Sequence, residues 1–174
     1  LPEFGQLKKW QHVHREAKDC LAGSCLAKAG EPLYSAAVAL AATVGSCDPL
    51  VLPRPRVGFY STGDEIVVID QVPLPHQIRR SNAEAILAAL QIEGFHDTQS
   101  AHFADTRASL EAGIKAALGR VDVLIFSGGV SMGRFDFVPD VLRGLGVDVH
   151  FHKVRQRPGK PLLFGSLLFE GKLK

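Results

Sequence analysis

From Val57 onward the sequence alternates short apolar runs with segments of helical spacing, and this alternation restricts the fold more than any other feature. Residues 57–60 read as a strand leading into Ser61, Thr62, Gly63, Asp64 and Glu65. Ser81 and Asn82 are placed to cap a helix reaching about Ile92, with Ala83, Ile86, Leu87 and Leu90 at helical spacing and Gly94 as its stop. Residues 95–103 read as a second strand. Asp105 or Thr106 then caps a helix whose Leu110, Ile114, Ala117 and Leu118 share one face. Residues 121–126 form a near-continuous apolar strand, 138–145 a short helix and 147–154 an alternating strand. Strands alternating with helices predict βαβ units, and so an α/β fold with a mostly parallel sheet covered on both faces. Right-handed crossovers place the loops after Tyr60, Phe103 and Phe126 at one edge, where open α/β sheets bind their ligands.

The preceding segment has a different texture. Residues 1–29 are polar and without clear period, whereas 35–44 are small and apolar and end at Gly45, which predicts a short helix. Cys47-Asp48-Pro49 and Pro53-Arg54-Pro55 form a connector that cannot be helical. The expected division is an N-terminal extended appendage, 1–48, and an α/β domain, 49–174. A net charge of +2 is too small to argue for nucleic acid. The longest apolar stretch, about 33–44, is too short for a membrane span. Cys20, Cys25 and Cys47 are odd in number and match no zinc spacing, which suits a reduced, cytoplasmic setting without nucleic-acid or membrane partners.

The loop 127–133 follows the apolar strand and precedes the short helix. Gly128, Gly129 and Gly133 permit positive φ and close ligand approach, and Ser127 and Ser131 supply hydroxyls, so backbone N–H groups can hold a phosphate. Asp136 adds a carboxylate that a bare phosphate site would not want. With Asp64, Glu65 and Asp105, acidic residues then occupy three strand-end loops, an arrangement that repels unless a cation sits among them. A hard ion such as Mg²⁺ prefers oxygen ligands and shares its shell with phosphates. Arg157, Pro158, Gly159, Lys160 and Pro161 form a stiff turn that holds two cations outward to clamp an oxyanion. His150 and His152 fall two apart on the last strand pattern, so that both rings would share one face, a weak alternative metal site.

These segments, taken in order, resemble the signatures of the MoeA/gephyrin E-domain family: residues 61–65, Gln77-Ile78, Ser81-Asn82, 127–133 with Asp136, and 157–161. The likeness extends upstream to about Trp10, through His14, Arg15, Asp19 and Ala29-Gly30. It implies a molybdopterin molybdotransferase, which inserts molybdate into adenylylated molybdopterin with release of AMP, on a three-layer α/β/α, MogA-like fold. It further implies Glu65, Asp105 and Asp136 as catalytic acids, and Mg²⁺ held by Asp64, Glu65, Asp105 and Asp136. Ser127, Gly128, Gly129, Ser131 and Gly133 would cradle the pterin phosphate, with Arg157, Pro158, Lys160 and Pro161 as the facing loop.

The sequence departs from the family at Arg80, His76, Thr106, Arg134 and Phe135, each change making the local field more positive. Family members form dimers and continue on both sides of the matching region. The ending, 167–174, reads as a strand stopped mid-course, so the expectation is a fragment or a pared-down relative. Two other readings stay open: the related adenylyltransferase, which makes the adenylylated pterin from ATP, and a non-catalytic pterin-binding or scaffold domain.

Overall fold

A computed structural model describes residues 8–129 and 137–174. The chain divides into two units, Leu1–Leu52 and Pro53–Lys174. The division falls inside the proline-rich connector.

In the first unit, residues 8–34 form successive turns, and α1, Ser35–Thr43, follows. Its end is fixed by backbone alone: Gly45 adopts φ +75°, and the N–H groups of Gly45 and Ser46 donate to the carbonyls of Ala42 and Ala41. Two of the helix's last carbonyls are thereby satisfied. No residue of α1 is buried.

The second unit carries the sheet. Its elements are β1 Val57–Thr62, β2 Ile66–Val67, β3 Ile78–Arg79, α2 Ser81–Ile92, β4 Thr98–Phe103, α3 Arg107–Leu118, β5 Val123–Ser127, α4 Val138–Gly144, β6 Asp148–His152, β7 Leu163–Ser166, β8 Leu168–Phe169 and β9 Lys172–Leu173. The strands β4, β1 and β5 lie parallel in that order. The crossover β1–α2–β4 runs to one side of β1, and β4–α3–β5 returns to the other. With both right-handed, α2 and α3 must lie on opposite faces.

β1 is the central strand and is buried along its whole length, including Ser61 and Thr62. It runs past the expected end at Tyr60 because both hydroxyls find partners, Ser61 at His102 and Thr62 at Asp105. On the α3 face, Tyr60 stacks on Phe103 at 5.2 Å and lies 5.6 Å from Phe126. Burial raises the Tyr60 phenol pKa above its usual value. The helix comes close to this layer at Gly113, where a Cβ would stand 2.5 Å from the Phe103 ring. Leu110, Ile114 and Leu118 of α3 close the core with Val138 and Val141 of α4. The sequence period had picked out the same buried face of α3.

Elsewhere the local reading shifts. Arg80, not Ser81, occupies the position before α2, without a side-chain cap, because pairing of β3 with β2 delivers the chain into the helix directly. Thr106 rather than Asp105 caps α3, its side chain accepting from the Ser109 N–H. β6 and β7 form an antiparallel hairpin with a register shift between Val149 and Phe151. That irregularity at His150 breaks the alternation on which a shared face for His150 and His152 depended. His150 Nε2 instead meets Ser166 Oγ at 2.8 Å.

At the opposite end of the strands, Asp122 ties the unit together. Its carboxylate accepts from the Arg56 backbone N–H, from the Arg56 guanidinium through Nε and Nη2, and from Lys174 Nζ. Lys174 also donates to the Val121 carbonyl, and its side chain is only 4% exposed. The Arg56 hydrogen bonds, with Lys174 adding to them, hold the Asp122 carboxyl well below the usual carboxylate range. A depressed folded-state pKa stabilises above the unfolded value and ceases to do so as pH falls through the folded one. Asp122→Ala is therefore expected to unfold several degrees below the parent near pH 7 because it leaves the Lys174 ammonium buried without its carboxylate. Thermal melts of the two proteins should converge as pH falls below about 4.

Candidate functional site

Strand register decides what meets at the carboxyl edge. Thr62 pairs with Phe103 and Ser61 with Ser127, so β1, β4 and β5 end together and release loops 63–65, 104–106 and 128 onward side by side. Asp105, half-buried, is held at two points: its Oδ1 accepts from Thr62 Oγ1 at 3.0 Å, and its backbone N–H donates to Asp64 Oδ1 at 3.3 Å. The Glu65 carboxylate folds back over Gly63, 2.5 Å from where a Cβ on that glycine would stand. Asp64, Glu65 and Asp105 thus occupy adjoining loops as their positions had suggested.

Gly128 and Gly129 turn away from β5 with φ +94° and +63°. A Cβ on Gly128 would collide with the Thr62 carbonyl oxygen, and one on Gly129 would stand 2.8 Å from Thr62 Cγ2 and 2.7 Å from Val138 Cγ2. Both the backbone sign and the contacts therefore demand glycine. Gly128→Ala is expected to cost about 2 kcal/mol, from the left-handed backbone and the displaced carbonyl together. Urea unfolding would register this as a lower midpoint at constant slope.

Ser127 lies at the end of β5. Ser131, Gly133 and Asp136 fall outside the described residues. The Arg157–Pro161 turn joins β6 to β7, with Arg157, Gly159 and Lys160 exposed. Among the described residues, neither cationic side chain reaches the acidic loops by a hydrogen bond or ion pair. Pro161 borders a separate apolar cavity of about 660 Å³ that runs along β5 and is also lined by Leu124, Phe126 and Phe164.

Two features at the edge escaped the sequence reading. Ser61 Oγ lies 2.9 Å from His102 Nδ1, and Thr62 anchors Asp105. The signal was present in two hydroxyl residues closing an apolar run, which read as loop when taken as polar residues. The departures also acquire roles. Thr106 is the α3 cap, and the Arg80 guanidinium lies 3.7 Å from Glu84 while its Nε is buried without a partner among the described residues.

Residues 58–172 match a family model described as a probable molybdopterin binding domain. The chain belongs to this family. Relatives of this molybdopterin-binding domain include a molybdopterin molybdenumtransferase of a Synechocystis strain, 38% identical over 160 residues, which are 92% of this chain and 41% of that protein. A protein of the same name from Bacillus subtilis is 35% identical over 148 residues, 85% of this chain and 34% of the relative. A solved molybdopterin biosynthesis MoeA protein from Pyrococcus horikosii superposes with a TM-score of 0.63 at 32% identity, covering 83% of this chain and 35% of that one. The chain thus spans less than half the length of the relatives it matches. Among the described residues, no helix is long and apolar enough to cross a membrane.

The acidic donors at the strand ends are the carboxylates of Asp64, Glu65 and Asp105. Among the described residues, no group of three or more His, Cys, Asp or Glu side chains is arranged to hold a metal ion. Asp64 and Asp105 meet through the Asp105 backbone N–H, and carboxylate oxygens are the ligand type that Mg²⁺ takes, ordinarily one or two carboxylates with substrate phosphates completing its shell.

Proposed function

We propose that this molybdopterin-binding domain acts in molybdenum cofactor biosynthesis, as the core of a molybdopterin molybdotransferase that inserts molybdate into adenylylated molybdopterin and releases AMP. The observation that carries the proposal is the meeting of the Gly128–Gly129 turn with Asp64 and Asp105 around Thr62 at the carboxyl edge. In this reading the glycine turn is the phosphate-holding half and the two carboxylates are the oxygen ligands, and Thr62 lies against both the turn and Asp105. The relatives named molybdopterin molybdenumtransferase support the same reading.

In this proposal Ser127, Gly128 and Gly129, continued by Ser131 and Gly133, hold the pterin phosphate through backbone N–H groups and hydroxyls. Asp64 and Asp105, with Glu65 and Asp136, would bind Mg²⁺. When bound, the ion would supply charge neutralisation at the phosphoanhydride. The residues themselves would position the phosphate and fix the carboxylates before substrate arrives, which lowers the reorganisation that the reaction requires. Arg157 and Lys160, on the stiff turn, would offer positive charge to molybdate or to the departing adenylate.

Incubation of the chain with adenylylated molybdopterin, Mg²⁺ and molybdate should release AMP in a molybdate-dependent manner. Consumption of ATP with unmodified molybdopterin, in the absence of molybdate, would instead identify an adenylyltransferase. Tight pterin binding without turnover would identify a binding domain.

A further inference from the structure

We propose that Thr62 is a positioning residue that couples the glycine turn to the acidic pair, so that the phosphate-holding and cation-holding halves of the site move together. The inference rests on the functional reading above for its ligand, but its geometry is independent of that reading.

Thr62 is 1% exposed, and its hydroxyl meets one half of the site while its methyl and carbonyl meet the other. Its hydroxyl donates to Asp105 Oδ1 at 3.0 Å. Its methyl, with a methyl of Val138, fills the space that a Cβ on Gly129 would need, and its carbonyl oxygen fills that of a Cβ on Gly128. The hydroxyl and methyl branch from one Cβ. A β-branched side chain has a strongly restricted χ1, so wedging the methyl against Gly129 also aims the hydroxyl at Asp105. The Asp105 backbone N–H is in turn donated to Asp64 Oδ1, extending the linkage from the glycine turn to the second carboxylate. A ligand that displaced the turn would rotate Thr62 and redirect the Asp105 carboxylate.

Two substitutions divide these functions. Thr62→Val keeps the branched shape and removes the hydroxyl, whereas Thr62→Ser keeps the hydroxyl and removes the methyl. In ligand-free protein, amide hydrogen exchange followed by NMR should speed at Asp105 in Thr62→Val while Gly128 and Gly129 stay as in the parent. Thr62→Ser should show the reverse. Calorimetric titration with adenylylated molybdopterin, in EDTA and in Mg²⁺, supplies the functional arm. Thr62→Val should bind as the parent does in EDTA but lose about tenfold of the Mg²⁺-dependent gain, the usual effect of removing a group that orients a metal ligand. Thr62→Ser should keep that gain and bind about threefold more weakly in both media, the effect of one lost methyl contact.

Identical exchange patterns in the two variants, or exchange at Asp105 unchanged by loss of the hydroxyl, would overturn the coupling. A parent chain that binds no pterin nucleotide would overturn the functional reading instead, and the ligand-free exchange would still decide the role of Thr62.

Discussion

Asp105→Asn should bind adenylylated molybdopterin yet release AMP about 100-fold more slowly than the parent, the scale expected when a carboxylate that holds a catalytic ion loses its charge. Asparagine can still accept from Thr62 Oγ1 through its carbonyl, and the backbone N–H that reaches Asp64 is untouched. The loop should therefore keep its course. The fold should hold as well, because Thr106 and not Asp105 caps α3. The effect belongs in kcat, with KM changing little, since the proposed function assigns the phosphate to the Gly128–Gly129 turn and not to Asp105. Single-turnover AMP release, set beside binding measured by calorimetry, would separate the two quantities. Equal losses in affinity and turnover would show that Asp105 serves binding and not the chemical step.

Leu110→Ala should cost about 3 kcal/mol of stability, within the range for truncating a fully buried leucine. Leu110 has no exposed surface and packs in one cluster with Ile114, Leu118, Val138 and Val141, so its removal leaves a void between α3 and α4 that neither can close alone. The cost should extend to the site. Helix α3 begins directly after the loop that presents Asp105, and Val138 also walls the Gly129 turn. Chemical denaturation should show the lower midpoint, and exchange at Asp105 and Gly129 should rise with it. A loss below about 1 kcal/mol would mean that α4 collapses into the gap.

Most of this architecture was legible because burial leaves a periodic mark. The face Leu110, Ile114, Ala117, Leu118 repeats at helical spacing and is the face that the structure buries. The parallel sheet followed from β-patterned runs separated by helical ones, since a crossover needs a helix-length connection. What the sequence could not convey were pairings between residues far apart along the chain. Ser61 and Thr62 continue a buried strand only because His102 and Asp105, some forty residues later, satisfy their hydroxyls. The Asp122, Arg56 and Lys174 cluster joins three distant segments in the same way. Local pattern also misplaced the start of α2, where pairing of β3 with β2 overrode the preference of serine for the cap. The glycine turn after β5 was legible from its residue types, and the demand for glycine is visible at Gly128, where Thr62 leaves no room for a Cβ.

The central claim is that the carboxyl edge of the sheet is the pterin-nucleotide site. Titration of ¹⁵N-labelled protein with adenylylated molybdopterin in the presence of Mg²⁺ tests it most directly. The amides of Gly63, Asp64, Asp105, Gly128 and Gly129 should shift together and saturate with one dissociation constant. Shifts confined to the lining of the apolar cavity along β5, at Leu163, Phe164 and Leu167, with those five amides unmoved, would contradict it.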